Sequence, residues 1–319
     1  MQAIVQVKKD LLRLSSLTKG EMDRIFEEAS ELKRRQRENV VWKPLSGKML
    51  ALIFEKPSTR TRVSFEVAMY QLGGHSLFLS PKDMQLDRGE SIADTARVLS
   101  RYVDGIVIRA FSQKLAEELA EFASIPVING LTDLLHPCQI LSDIFTIIEK
   151  KGRYQGIKIA YVGDGNNIAN SWVEAASRLD FHLSLACPAG YLPDEDIIRT
   201  SKRESPCPIE VIEDPFQAVK GADIITTDSW VSMGKEDEYE KRMITFEGYQ
   251  INERLVAEAK NDVLVMHCLP AHRGKEITDQ IIDGRHSIVF DQAENRLHVQ
   301  KAILEIWLGR ETNMREKPN

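Results

Sequence analysis

The sequence has few cysteines, no excess of basic residues and no long apolar run, and each absence excludes a class of protein. Its four cysteines show no C-x-x-C spacing, and a chain of 319 residues needs no disulfide framework, which favours a reducing compartment. With 48 acidic and 42 basic residues, its formal charge of −6 argues against a nucleic-acid-binding surface.

The apolar runs are all too short to span a membrane, and the N-terminus carries neither a signal-type apolar core nor an Arg/Ser-rich transit pattern. We therefore expect a cytoplasmic protein that binds neither nucleic acid nor a membrane.

What the sequence does contain is a regular alternation of short apolar runs with amphipathic stretches. A chain of this length with 43% hydrophobic residues exceeds the size at which a single core usually divides. Strands that alternate with helices predict a parallel sheet covered on both faces. We predict an α/β protein of two domains, each with a mainly parallel sheet flanked by helices.

A long predicted helix at 137–150, followed by Gly152 and Gly156, marks the junction between these domains. The first domain would comprise residues 1–150 and the second 151–319, with a C-terminal helix of about 293–309 packing back on the first. The strands predicted are 49–54, 76–79, 105–109, 127–129, 157–162, 183–187, 209–212, 224–227, 263–267 and 287–290. The other helices predicted are 59–72, 92–99, 115–123 and a first helix that starts at the capping box 18–21 and ends in the charged run 33–37.

The segment 58–62, with the sequence S-T-R-T-R, directly follows an apolar run and opens an amphipathic stretch. A helix that starts after a strand offers free backbone N–H groups, which suit a phosphate. The hydroxyls of Ser58, Thr59 and Thr61 would contact the phosphate oxygens. Arg60 would add a charged bidentate donor. On these residues alone, a capped helix with surface arginines remains the alternative.

Two more polar positions stand at ends of predicted elements in the first half. Arg109 ends a strand, at the edge where open α/β sheets bind ligands, although a surface arginine is the alternative. His136 and Gln139 lie at a helix start, where they would polarise a carbonyl and hold an NH₂ group. For His136 by itself, a buried histidine in a helix-start turn is the simpler interpretation.

The second half carries a glycine-containing turn at 163–167 and a polar segment from Asp228. The turn suggests dinucleotide binding, but the third glycine is missing, and L-A-C at 185–187 stands where a ribose-binding carboxylate belongs. Asn167 would bind a substrate or cap the helix. Asp228 and S-M-G at 232–234 begin a long polar loop without evident structure, typical of a lid or of a surface excursion.

The segment H-C-L-P at 267–270 ends another strand. His267, Cys268 and His272 suggest a metal, but strand neighbours face opposite sides and no further ligand pattern appears, so we predict no metal site. Cys268 is either a buried structural residue or part of the reacting centre.

Together these motifs resemble those of the aspartate/ornithine carbamoyltransferase family. The resemblance spans nearly the whole chain and rests on the four motifs in order. Within the family it points to the members that act on ornithine, because the aspartate enzymes lack the patterns at 228–234 and 267–270.

The resemblance implies transfer of the carbamoyl group from carbamoyl phosphate to the δ-amine of L-ornithine, giving L-citrulline and phosphate in arginine metabolism. It also implies a homotrimer, or a multiple of trimers, with active sites between subunits and no metal or organic cofactor. The residues it implies for carbamoyl phosphate are Ser58, Thr59, Arg60, Thr61, Gln85, Arg109, His136, Gln139, Cys268, Leu269 and Arg296, with Gln85 reaching a neighbouring subunit's site.

For ornithine the resemblance implies Asn167, Asp228, Ser232 and Met233. The catalytic residues would be Arg109, His136, Asp228 and Cys268. Three alternatives remain from the sequence: a carbamoyltransferase for putrescine or acylated ornithine, a nicotinamide dehydrogenase, and a non-catalytic anion-binding module.

Overall fold

The computed structural model describes residues 8–80, 84, 89–231 and 236–309, and they form two compact units. The first unit takes the chain up to Leu12, Gly20–Asp133 and the residues from Leu297 onward. The second unit takes Arg13–Lys19 and Leu134–Arg296.

The first unit is built on a parallel sheet of four strands in the order β2-β1-β3-β4. Every residue of β3 is buried, so its apolar run is continuous rather than alternating, as expected for a strand covered on both faces. The strands are β1 Met49–Phe54, β2 His75–Leu79, β3 Gly105–Arg109 and β4 Val127–Leu131. The helices are α1 Lys19–Arg37, α2 Thr59–Gln71, α3 Ile92–Leu99 and α4 Gln113–Phe122.

The second unit is built on a parallel sheet of five strands in the order β7-β6-β5-β8-β9. The strands are β5 Lys158–Val162, β6 His182–Ala186, β7 Ile209–Ile212, β8 Ile224–Thr227 and β9 Leu264–His267. The helices are α5 Pro137–Lys151, α6 Asn167–Ala176, α7 Glu195–Glu204, α8 Pro215–Val219, α9 Tyr239–Thr245, α10 Glu253–Val256 and α11 Asp279–Ile282. A last helix, α12 Val289–Leu308, begins in this unit and ends in the first.

The predicted fold class, two mainly parallel sheets flanked by helices, is confirmed. The domain boundary at 150/151 stays a prediction; in the structure, α5 groups with the second unit.

Two local predictions are wrong. Residues 287–290 are not a strand: Ser287 makes a single bridge to Val265, and α12 starts two residues later, leaving Phe290 65% exposed. The region after Asp228 is also not a long unstructured loop in its described part, since helical turns occupy Glu236–Glu238, α9 and Glu247–Tyr249.

The two glycines in the turn after β5 have separate structural reasons. Gly163 adopts φ 142°, which glycine tolerates best. At Gly165, an added Cβ would lie 2.2 Å from the carbonyl carbon of Leu192 and 2.3 Å from the nitrogen of Pro193. The chain's own backbone therefore fills the space beside Gly165 that close approach of a pyrophosphate would need.

Replacing Gly165 by alanine should destabilise the second unit, because the clash is with backbone that cannot rotate away. We expect a loss of about 1–3 kcal/mol in the free energy of unfolding, measured by urea denaturation. Gly248→Ala is the matched control, since nothing lies within 4 Å of its added Cβ. Equal stability of the two variants would contradict this explanation.

Candidate functional site

In the first unit, the start of α2 and the end of β3 lie at the same carboxyl edge of the sheet. Phe54 at the end of β1 pairs in register with Arg109 at the end of β3. The backbone N–H of Glu55 donates to the Arg109 carbonyl at 2.8 Å, and the Glu55 carboxylate accepts from the Phe111 N–H at 2.8 Å. These bonds fix the backbone on both sides of the buried Arg109.

The first turn of α2 has the form predicted for an anion site. Ser58 is the N-cap and accepts from the Thr61 N–H at 3.3 Å, while Thr61 is buried and Arg60 is half-buried. The buried Lys56, just before this turn, pairs with Asp133. The helix dipole and the N–H groups of the first turn favour a negative group at this position. The exposed Thr59 completes the motif.

In the second unit, the start of α5 is held by hydrogen bonds to neighbouring helices and to its own next turn. His136 is the N-cap residue, and its backbone N–H donates to the Ser171 hydroxyl at 2.8 Å. Gln139, buried one turn later, donates its side-chain NH₂ to Asp143 at 2.8 Å. The predicted position of both residues at a helix start is confirmed.

Asp228 and Cys268, at the carboxyl ends of neighbouring strands β8 and β9, are directly hydrogen-bonded. The Cys268 thiol lies 2.8 Å from one carboxylate oxygen of Asp228, which also accepts from the Ser229 N–H at 2.8 Å. Burial, and then the charge of Asp228, raise the pKa of the Cys268 thiol well above its usual value. The thiol therefore stays protonated and donates to the carboxylate.

Asn166, which the sequence analysis did not single out, completes this group. Its side-chain NH₂ donates to the second carboxylate oxygen of Asp228 at 2.7 Å, and its carbonyl oxygen caps α6 by accepting from Ile168 at 2.9 Å. The helix cap considered for Asn167 is thus formed by Asn166, and Asn167 is the first residue of α6. Neighbouring asparagines in a turn cannot be told apart by pattern alone.

His267 has a structural role beside this group. Its Nδ1 accepts from the Leu269 N–H at 2.9 Å, and its Nε2 lies 3.2 Å from the Glu276 carboxylate. A nitrogen that accepts from an N–H carries no proton, so Nε2 is the protonated position. The bond also holds Leu269 at φ 57°, an uncommon conformation for a leucine.

Potential ligand atoms of Asp228, His267 and Cys268 lie within 4.8 Å of one another. The hydrogen bonds already described engage both nitrogens of His267 and the thiol of Cys268. We therefore interpret the group as a hydrogen-bonded cluster.

A second buried carboxyl group, Asp143, was also missed from the sequence. One of its oxygens accepts from both Gln139 and Gln292, each at 2.8 Å. Burial raises the pKa of Asp143 to about 7, while the two amides and the nearby Arg296 oppose that rise. The spacing of four residues between Gln139 and Asp143 places them on one helix face, which is the signal that sequence reasoning could have used.

Arg242 anchors the chain on both sides of the S-M-G segment. It donates to the Trp230 carbonyl at 2.7 Å, to Asp164 at 2.8 Å and to Glu238 at 2.8 Å. Gln85, Ser232 and Met233 lie outside the described residues, so their assignments stay predictions.

Two family models match most of the chain. Residues 9–149 match the aspartate/ornithine carbamoyltransferase carbamoyl-P binding domain, and residues 155–307 match the Asp/Orn binding domain of the same family. The chain therefore belongs to the aspartate/ornithine carbamoyltransferase family.

Individual relatives agree with this membership. An ornithine carbamoyltransferase of Syntrophus aciditrophicus is 60% identical over 300 residues, which cover 94% of this chain and 99% of the relative. The solved ornithine carbamoyltransferase of Pyrococcus furiosus is 52% identical with a TM-score of 0.91, covering 96% of this chain and 99% of that one. The anabolic enzyme of Campylobacter jejuni is 41% identical with a TM-score of 0.88, covering 94% and 98%.

Among the helices of the described residues, none is both long and apolar enough to cross a membrane.

Asp143 should make the stability of the protein fall as the pH rises. Its folded pKa of about 7 lies above its ordinary value of 3.8, so the folded state holds a proton that the unfolded state releases. As the pH rises from about 5 to about 8, the free energy of unfolding of Asp143→Asn should increase relative to that of the wild type by on the order of 3 kcal/mol. Urea unfolding at both pH values measures this difference. Asp291→Asn, a half-exposed carboxylate on α12, is the control, and an identical pH response of both variants would contradict the assignment.

Proposed function

We propose that the chain transfers the carbamoyl group of carbamoyl phosphate to the δ-amine of L-ornithine, giving L-citrulline and phosphate. The observation that carries this proposal is the hydrogen-bonded pair of Asp228 and Cys268 at the carboxyl edge of the second sheet. A carboxylate there suits the α-amino group of an amino acid. The relatives from Syntrophus aciditrophicus and Pyrococcus furiosus, both named ornithine carbamoyltransferase, support the same substrate.

Carbamoyl phosphate would be bound mainly through its phosphate. The hydroxyls and N–H groups of Ser58, Thr59 and Thr61 face the phosphate oxygens in this proposal, and Arg60 neutralises their charge. Arg109 and His136 contact the carbamoyl oxygen, and Gln139 holds the carbamoyl NH₂ group. Cys268, Leu269 and Arg296 complete the binding set, together with Gln85 from a neighbouring subunit.

Ornithine would be bound by Asn167, Asp228, Ser232 and Met233 through its α-carboxylate and α-amino groups. Since the S–H group of Cys268 donates its hydrogen bond to Asp228, the sulfur lone pairs can accept a hydrogen bond from the δ-amine and orient it. In this account residues 1–150 form the carbamoyl-phosphate domain and 151–319 the ornithine domain.

The reaction needs no metal or organic cofactor in this mechanism. The neutral δ-amine attacks the carbamoyl carbon, and Thr61, Arg109 and His136 stabilise the oxyanion that develops. The C–O bond to phosphate then breaks, the electron pair leaves with the phosphate, and the departing phosphate takes up the extra proton of the amine. Arg60 and Arg109 favour the neutral amine because positive charge disfavours an ammonium group beside it.

The alternatives have less support. Putrescine has no α-amino acid group for Asp228 to bind, and an acyl group on ornithine would remove the charge that this carboxylate attracts. A dinucleotide at the turn after β5 would meet the backbone at Leu192 and Pro193.

We further propose a biosynthetic role in arginine metabolism, a cytoplasmic location and a trimeric assembly. The biosynthetic direction is supported by the Campylobacter jejuni relative, which is described as anabolic. The trimeric assembly rests on the resemblance to the family.

Arg60→Ala should abolish turnover without unfolding the protein, because it removes the main positive charge of the phosphate site. We expect kcat/KM to fall by about a thousandfold or more, measured by citrulline formation. Arg34→Ala, which removes an exposed arginine from α1, is the control and should keep normal activity. Near-normal turnover in a folded Arg60→Ala variant would refute the phosphate assignment.

Asp228→Asn should mainly weaken the use of ornithine, because the α-amino group loses its counter-charge while the shape of the site is kept. We expect the KM for ornithine to rise by about tenfold or more, with a smaller change in the KM for carbamoyl phosphate. Steady-state kinetics with each substrate varied in turn gives the two values. An unchanged dependence on ornithine concentration would count against this role.

A further inference from the structure

We propose that Asp143 is a positioning residue that fixes the amide of Gln139 toward carbamoyl phosphate and couples it through Gln292 to the backbone before Cys268. This assignment rests on the proposed function, because it gives Gln139 a substrate to hold. It concerns a buried side chain that contacts Gln139 and Gln292.

A short chain of hydrogen bonds, here called the relay, connects Gln139, Asp143, Gln292 and the His267 N–H. It joins two helices to the end of a strand. One oxygen of Asp143 accepts from the NH₂ groups of Gln139 on α5 and Gln292 on α12, each at 2.8 Å. Gln292 in turn accepts the backbone N–H of His267 at 2.9 Å. All four residues are at most 1% exposed, so water cannot replace these bonds.

The relay decides which end of the Gln139 amide is available to a ligand. One N–H of its NH₂ group donates to Asp143, which turns that end of the amide toward the carboxyl group and leaves the carbonyl oxygen on the opposite side, where it can accept from a donor. The carbamoyl NH₂ is such a donor, whereas a phosphate or a carboxylate is not. Asp143 therefore sets Gln139 to select the carbamoyl end of the substrate.

The same oxygen also influences the second part of the site. Gln292 donates to Asp143 and accepts from the backbone N–H of His267. A shift of Asp143 would therefore also move the first residue of the H-C-L-P segment. Cys268 and Leu269 follow directly, and both belong to the proposed binding set.

The charged and titratable groups that act on Asp143 lie on three other elements. Arg296, one turn after Gln292 on α12, attracts its negative form, and Asp228 after β8 repels it. The thiol of Cys268 after β9 is itself influenced by Asp143. A neutral side chain with one acceptor oxygen would therefore preserve the relay without adding negative charge beside Gln139.

The test compares Asp143→Leu with Asp143→Asn by calorimetric titration with carbamoyl phosphate. Leucine removes the acceptor oxygen while keeping the same branched arrangement of side-chain heavy atoms, and we expect the affinity to fall by about tenfold or more. Asparagine keeps one acceptor oxygen for both glutamines, and we expect an affinity within about threefold of the wild type. Asp291→Leu, the same exchange at a half-exposed position on α12, is the control and should bind as the wild type does.

Recovery by asparagine separates positioning from a general structural role, since both variants change the same buried position. Wild-type affinity in a folded Asp143→Leu variant, or an equal loss in Asp143→Asn, would overturn the assignment. If Asp143→Leu does not fold, Gln292→Met breaks the same relay from α12, and unchanged affinity in that variant would overturn it as well. Failure of the wild type itself to bind carbamoyl phosphate would overturn the proposed function and this assignment with it.

Discussion

Parallel strands all present their carboxyl ends at one edge of a sheet, and this constraint decides where chemistry can occur in both units. In the first unit it brings Arg109 and the start of α2 to neighbouring strand ends. In the second it brings Asp228 and Cys268 within hydrogen-bond distance, although 40 residues separate them in sequence. Side chains distant in the chain therefore meet without any special loop geometry.

Two carboxyl groups of the second unit are held in small hydrogen-bond networks. One carboxylate oxygen of Asp228 accepts from Asn166 and the other accepts from Cys268. One oxygen of Asp143 accepts from two glutamines. A buried acceptor that loses its partner costs about 1–3 kcal/mol, so each network resists rearrangement. This rigidity keeps the candidate side chains oriented before any ligand arrives.

The sequence predicted the elements best where an apolar run is bounded by polar turn residues. The strands β1, β3, β7 and β8 and the helix α3 have the predicted bounds. In β1 and β3 a continuous apolar run suits a buried parallel strand, whereas β7 includes Glu210 and β8 ends in two threonines. The error at 287–290 has the same origin, since the short apolar run from Ile288 to Phe290 is equally compatible with a helix start.

The position of a candidate residue in the fold was predictable where a motif marks a helix start, as at Ser58 and His136. They were not predictable where the role depends on a partner distant in sequence. Gln292 matters only because α12 passes Asp143, and Asn166 because β8 ends beside α6. Spacing within one segment carries no information on such partners.

The most direct test of the account is carbamoyl transfer from carbamoyl phosphate to ornithine, putrescine, acetylornithine and aspartate, assayed in parallel without added metal or cofactor. The account predicts that citrulline is by far the dominant product. Preferential carbamoylation of another acceptor, or no product with any of them, would contradict it.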